Sequence, residues 1–352
     1  MQTDMISSYT EALRQWHGKP YYSLNQYLKE QFGEKIYKVA LDGGFTCPNR
    51  DGTLGNRGCI FCSAGGSGDF SGARLSGENL RTQDTLPDIR RQLEAGKGLL
   101  SEKYTGRRFI AYFQAFTNTY APVERLEKLY MSAISHPETA VLSIATRPDC
   151  LSPDVIGLLK RLNTIKPVWI ELGLQTIHED TARFIRRGYA LDVFTDTLAR
   201  LKEAGIDTIV HTILGLPGES ENDILETHRF LACQPIQGIK LQLLHVLRGT
   251  DLDAFYHAHP FHILTLEEYT HLIIRCIEIL PPKMVIHRMT GDGPKQLLTA
   301  PLWSGHKKHV LNTIHHTFKT CETWQGRMYT PLSDTAAGQE RNIYDCRAIH
   351  PV

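Results

Sequence analysis

Apolar and polar positions along this chain fall into two alternating habits. Short runs rich in β-branched and aromatic residues occur at 36–41, 108–113, 140–145, 168–174, 206–214 and 239–247. They are mostly continuous, as in parallel strands buried on both faces. Between them lie longer stretches of helical period with recognisable starts and stops. Pro122 opens PVERLEKLYMSAIS, and Ser152 before Pro153 reads as an N-cap followed by proline at the first helical position. Ser220 and Asp223 resemble a capping box ahead of ILETHRFLA, and Gly205 is a stop for DVFTDTLARLKEAG. Repeated strand–helix units predict an α/β protein, either a parallel barrel or an open doubly wound sheet. In both, the loops leaving the carboxyl ends of the strands carry the chemistry.

Beyond residue 255 the pattern predicts a helix from Thr265, capping toward Glu268, to Leu280, then a strand at 284–289 and a helix near 305–320. The expected division is an N-terminal segment (1–34), a core barrel (35–255), a substrate-facing extension (256–330) and a polar tail (331–352). No apolar run approaches the roughly 20 residues of a membrane span. The opening MQTDMISSYTEALRQ lacks a basic start and an apolar stretch, so no secretory signal is expected. With 39 Lys+Arg against 38 Asp+Glu the net charge is +1, which excludes wholesale coating of nucleic acid but not a local basic patch.

Eight cysteines without such a signal point to a reducing, cytoplasmic setting, where clustered thiols bind metal or do redox chemistry. Their distribution is uneven. Cys47, Cys59 and Cys62 share LDGGFTCPNRDGTLGNRGCIFCSAGGSGDF, directly after the first strand, with spacing Cys-x11-Cys-x2-Cys. Structural zinc sites use four closed ligands, usually two close pairs. Here there is one pair plus a single cysteine, and three thiolates suit an iron–sulfur cubane with one iron left open. Zinc completed by a distant Cys or His, or three free cysteines, are the competing readings. The sixteen histidines show no HExxH spacing, so hydrolytic metal chemistry has little support. His211 and His245 read as core or barrel-lining residues.

The motifs GGFTCPNRDGT, GCIFCSAGGSGDF, AYFQAFTNTYAP, TRPDCL, ELGLQT with RRGY, ILGLPGES and HVLRGTDL resemble the radical S-adenosylmethionine (SAM) superfamily across nearly the whole chain. Within it the chain looks like the YtqA/YhcC group, relatives of the radical domain of the Elongator catalytic subunit. The first cysteine gap is longer than the superfamily's commonest Cys-x3-Cys-x2-Cys. The resemblance implies a partial (β/α)6 TIM-like barrel with a small α/β C-terminal extension. It also implies a [4Fe-4S] cluster on Cys47, Cys59 and Cys62, with SAM chelating the open iron. An electron from a reduced flavodoxin or ferredoxin would then release methionine and a 5′-deoxyadenosyl radical. There is no room for an acetyltransferase domain, so acetyl transfer is not carried over.

The same resemblance suggests further roles, each with a plainer alternative. Phe61, inside CIFC, packs beside cluster and adenine, or is ordinary core. Thr117, Asn118 and Thr119 hold the amino group of SAM, or form a plain turn. Glu171 and Gln175, polar in an apolar strand, need partners if buried: SAM supplies them, or the two are a satisfied core pair. Arg187 in RRGY meets the SAM carboxylate, and Leu216 lies in ILGLPGES, the segment that presents backbone groups to adenine. SAGGSGDFSG reads as a lid, because it lacks the Lys-Ser/Thr ending of a phosphate loop.

For the substrate, residues 283–329 carry Lys283, Arg288, Lys295, Lys307, Lys308, Lys319 and Arg327 against Asp292 and Glu322, with five histidines and two tryptophans. Basic side chains interleaved with aromatics suit an RNA loop, or form a solvated helix face. IHRMTGDGPKQLL, APLW and TWQG extend the likeness to the YtqA group. That likeness implies conversion of a carboxymethylaminomethyl to an aminomethyl group on the wobble uridine of tRNA, with Arg288, Asp292, Trp303 and Lys307 as candidate contacts. The alternatives are a radical SAM enzyme acting on a metabolite or protein, and a non-catalytic metal or Fe–S protein.

Overall fold

The computed structural model describes residues 6–66, 86–100, 106–291 and 293–331. Seven parallel strands form one sheet in sequence order: β1 (Tyr37–Leu41), β2 (Phe109–Phe113), β3 (Thr139–Thr146), β4 (Val168–Gln175), β5 (Asp207–Leu214), β6 (Gly238–Leu243) and β8 (Val285–Arg288). Strictly sequential parallel order is barrel order, and β1 and β8 stand at its two unpaired ends, so the barrel is partial. Helices alternate with the strands: α1 (Tyr9–Gln15) and α2 (Leu24–Phe32) come first. Then follow α3 (Ile89–Leu100), α4 (Val123–Ile134), α5 (Pro153–Asn163), α6 (Glu179–Phe184), α7 (Leu191–Glu203), α8 (Glu221–Ala232), α9 (Asp251–Ala258), α10 (Leu266–Glu278) and α11 (Lys307–Thr320).

The anticipated caps operate. Ser152 accepts from the Val155 N–H, and Ser220–Asp223 and Thr265–Glu268 are both complete capping boxes. The main core lies between the sheet and the outer helices, with Phe113, Leu142, Ile170, Val210 and Leu241 facing Leu129, Leu158, Leu198 and Ile273.

Two expectations are corrected. The continuous run 239–247 is not one strand: β6 ends at Leu243, and β7 (Val246–Leu247) pairs antiparallel with β9 (Leu298–Ala300). The turn between them keeps Leu244 and Val246 buried in a second apolar cluster, so burial stays continuous while backbone direction changes. The strand at 284–289, assigned to an extension, instead joins the barrel, with β8 parallel to β6. An N-terminal element without a function in the sequence reading also closes the barrel floor. Leu28 of α2 packs with Ile36, Ile110, Val141, Trp169 and Ile209, near the starts of their strands.

On the inner face of the sheet, side chains recur every second residue. Above the apolar floor comes a polar layer of Lys38, Tyr112, Ser143, Glu171, His211 and Lys240. Gln114, Gly173, Gln242 and Arg288 line the space toward the carboxyl ends.

Candidate active site

The loop after β1 folds back over the carboxyl end of the sheet. Its turns are fixed by Arg50 N–H to the Cys47 carbonyl (2.7 Å), Gly58 N–H to the Asn49 carbonyl (2.7 Å) and Cys62 N–H to the Cys59 carbonyl (3.0 Å). Asn49 is buried, and its amide donates to the Arg186 carbonyl (2.8 Å) and lies 3.5 Å from the Cys59 Sγ. Arg50 donates to the Ser63 carbonyl at 2.6 Å. Gly188 follows Arg187 at φ +84, where a Cβ would stand 2.7 Å from the Asn49 Oδ1; glycine is required there by both strain and space.

Cys47, Cys59 and Cys62 then line a single cavity of about 180 Å³. The Cys62 thiol donates to Cys59, and that bond, with Asn49, Arg147 and Arg186 nearby, draws the Cys59 thiol down to about 6 against the effect of burial. Donating to its neighbour, and burial, push the Cys62 thiol up. The three thiols, one of them already biased toward thiolate, are a donor set that fits an iron–sulfur cluster with three protein ligands.

Beneath this ring lies the polar layer. Glu171 is fully buried; its Oε1 accepts from Lys38 Nζ (2.7 Å) and Ser143 Oγ (2.8 Å), and its Oε2 lies 2.8 Å from His211 Nε2 and in contact with Lys240 Nζ. Lys240 also donates to the Tyr112 hydroxyl at 3.0 Å. Burial disfavours the Glu171 carboxylate, but Lys240, Lys38 and His211 outweigh it and hold the acid well below the usual range. Burial, then the Lys240 charge, brings His211 down to about 4, so its imidazole is neutral.

The sequence-derived candidates separate at this level. Phe61, Thr117, Glu171, Gln175, Arg187 and Arg288 all line the thiol cavity. Asn118 gives its amide to the Ala145 carbonyl (2.8 Å), and the Thr119 hydroxyl lies 2.6 Å from both Thr146 Oγ1 and the Cys150 carbonyl oxygen; these two brace the turn. Arg187 spends its guanidinium on the carbonyls of Tyr189 and Thr176 and on Glu179, at 2.6–3.0 Å. Leu216 is buried among Ile60, Ile185 and Leu252 and borders a separate cavity under the GLPGES turn. Trp303 donates its indole N–H to the Leu264 carbonyl (3.0 Å) and packs on Tyr269, while Lys307 begins α11 in solvent. Asp292 and most of the lid candidate, from residue 67 on, lie outside the described residues.

Sequence reasoning missed Asn49, Arg147, Gln114, Lys240 and Gln242. Lys240 was legible in principle, as a lysine inside an apolar strand; Arg147 sits within TRPDCL but had no assigned role. The Gln175 backbone is left-handed (φ 70), and its buried Oε1 has no partner among the described residues, an acceptor held ready for a donor on a ligand.

A partial parallel barrel with three thiols at the mouth defines the class of barrel enzymes that carry a cysteine loop after the first strand. The chain belongs to the Radical SAM superfamily, matching it over residues 52–231 and the Radical_SAM C-terminal domain over 236–320. It is 43% identical over 319 residues to the uncharacterized protein YtqA of Bacillus subtilis, covering 91% of this chain and 96% of that one. It is 34% identical to protein YhcC of Escherichia coli K12, covering 78% and 85%. The archaeal Methanocaldococcus infernus Elp3, solved with an N-terminal deletion, shares the fold at TM-score 0.60 and 16% identity, over 82% of this chain and 64% of that one. Among the described residues no helix is long and apolar enough to cross a membrane.

Proposed function

We propose that this radical SAM protein modifies the side chain of the wobble uridine in tRNA in the cytoplasm, converting a carboxymethylaminomethyl group to an aminomethyl group: hydrogen loss at the carboxymethyl CH₂, loss of one further electron and addition of water would break the N–C bond and release the two carbons as glyoxylate. Cys47, Cys59 and Cys62 would hold a [4Fe-4S] cluster, and Phe61, Thr117 and Gln175 would border bound SAM. Together these cofactors supply a strong one-electron reductant and a carbon radical able to take hydrogen from an unactivated C–H bond, given electrons from a reduced flavodoxin or ferredoxin.

The chain's own residues do the rest. The apolar floor under Trp169 and the helix α2 keep water from the far end of the lumen, and the Glu171 cage fixes the cavity's inner wall. Asn49 holds the thiol loop against the turn after α6, and Arg50 closes the loop on its own Ser63 carbonyl.

The observation favouring RNA is a stretch, 293–321, with four lysines, four histidines and no Asp or Glu. Lys307, Lys308 and His309 stand exposed at its α11 start. Such a face suits phosphate contact.

The test is a comparison of tRNA nucleosides from cells with and without the gene. Loss of aminomethyl-type wobble uridine, with carboxymethylaminomethyluridine accumulating, is expected. An unchanged wobble profile would sink the tRNA reading. A purified, oxygen-protected protein that releases no 5′-deoxyadenosine from SAM on reduction would sink the radical chemistry.

A further inference from the structure

The polar layer inside the barrel sets two lysines against one carboxylate. Lys38 and Lys240 share the single carboxylate of Glu171. The other polar groups packed on it, Ser143, Tyr112, His211 and His287, are neutral, burial keeping both imidazoles unprotonated. Burial, with Lys38 and Arg288 nearby, outweighs Glu171 and pushes the Lys240 ammonium well below its usual range, so the one carboxylate here does not fully support both lysines as cations. Arg288 stands in register with Lys240 across β6–β8 and lines the same cavity.

Lys240 is 3% exposed, yet its side chain forms part of the cavity wall. Two of its three N–H bonds go to Glu171 and Tyr112. Glu171, shared with Lys38, does not offset the burial of this ammonium by itself, and a second anion at the cavity wall would favour the charged form. We propose that the Lys240 side of the cavity, with Arg288 above it, is a receptor for a carboxylate carried by the reacting side chain of the substrate.

This rests on the reading of the protein as a radical SAM enzyme and deepens it. In the tRNA case the carboxylate is that of the carboxymethyl group. SAM chelated at the open iron of a cluster on the three thiols would keep its own carboxylate beside them, and a lysine-lined wall would repel its sulfonium. The anion received at Lys240 therefore comes from the substrate. A charge-assisted hydrogen bond here positions the adjoining CH₂ by its charged end.

The test uses the reconstituted, SAM-saturated protein under anaerobic conditions and two small probes, N-benzylglycine and its methyl ester, which differ in one charge at nearly equal size. Calorimetry is expected to show the acid binding at least about tenfold more tightly than the ester. The preference is expected to collapse toward unity in Lys240→Met and to survive in Lys240→Arg. Should Lys240→Met not fold, Arg288→Gln gives the same reading by a reduced preference. Equal affinities for acid and ester in the native protein, or no binding of either at millimolar concentration, overturn the proposal. So does a preference undiminished in Lys240→Met, or a defect there confined to SAM affinity. The two readings fail separately. A preference for the acid with an unchanged tRNA wobble profile leaves the receptor and removes tRNA; a changed profile with no preference does the reverse.

Discussion

Asn49 in the cysteine loop reaches the backbone oxygen of Arg186, 137 residues away in sequence and 2.8 Å away in space. The same amide nitrogen lies 3.5 Å from Cys59 Sγ, so one side chain ties the thiol loop to the turn after α6. Removing it in Asn49→Ala leaves a partly buried carbonyl with only the long Cys59 thiol contact at 3.6 Å, at a cost of about 1–3 kcal/mol. The expected phenotype is a lowered unfolding temperature together with reduced iron retention after reconstitution. Iron bound as firmly as in the native protein would show that the tether is dispensable for the site.

Glu171 is the only carboxylate in contact with Lys38 and Lys240 among the described residues. Glu171→Gln strands the buried Lys240 and the partly exposed Lys38 and is expected to destabilise the fold by about 3–5 kcal/mol. The double variant Glu171→Gln/Lys240→Met relieves half of that mismatch, so denaturant unfolding should find it no less stable than the single variant. A double variant much weaker than the single one would mean that the pair contributes packing rather than charge balance.

Much of this molecule could be read from the chain because its strands are local, continuous apolar runs: β2, β3, β4 and β5 lie within a residue or two of their expected spans. The cysteine loop was legible for the same reason, its three ligands lying within sixteen residues. What escaped depends on pairing between distant segments. The run 239–247 stays apolar across Leu244 because both sides are buried, in two different clusters, so nothing local marks the break. The seventh strand needed its partner β6 to be recognised as part of the barrel. Lys38, Ser143 and Lys240 looked like single polar interruptions in three unrelated strands. Only the pleat, which turns them to one face, makes them a cage around Glu171.

The barrel and its thiol loop should be separable. The core lies between sheet and helices, with the cysteines at its edge, so Cys59→Ala is expected to keep the circular dichroism of the native protein and to shift stability by less than about 2 kcal/mol. Iron and acid-labile sulfide should fall to background in the same preparation. Stoichiometric zinc in the native protein, or iron retained in the variant, would contradict the three-thiol assignment.

Acid should unfold the protein earlier than its carboxylates alone require. His228 is buried on the inner face of α8, with Nδ1 2.7 Å from the Ile224 carbonyl oxygen and Nε2 3.2 Å from Thr212 Oγ1, and burial brings it down to about 4. His211 is likewise brought to about 4. In the unfolded chain a histidine titrates near 6.5, so between pH 6.5 and pH 4 the unfolded state binds more protons than the folded one. Stability is therefore full above about pH 6.5 and declines as the pH falls, by roughly 3 kcal/mol per imidazole by pH 4. The downward shift of Glu171 adds loss only at lower pH, as the acid is protonated through its folded value. Urea unfolding across pH 7 to 4 should show this decline, to which the buried His287 also contributes, and His228→Gln should flatten it by about a third over that window. An identical slope in the variant would mean that the buried imidazole is already protonated in the folded protein.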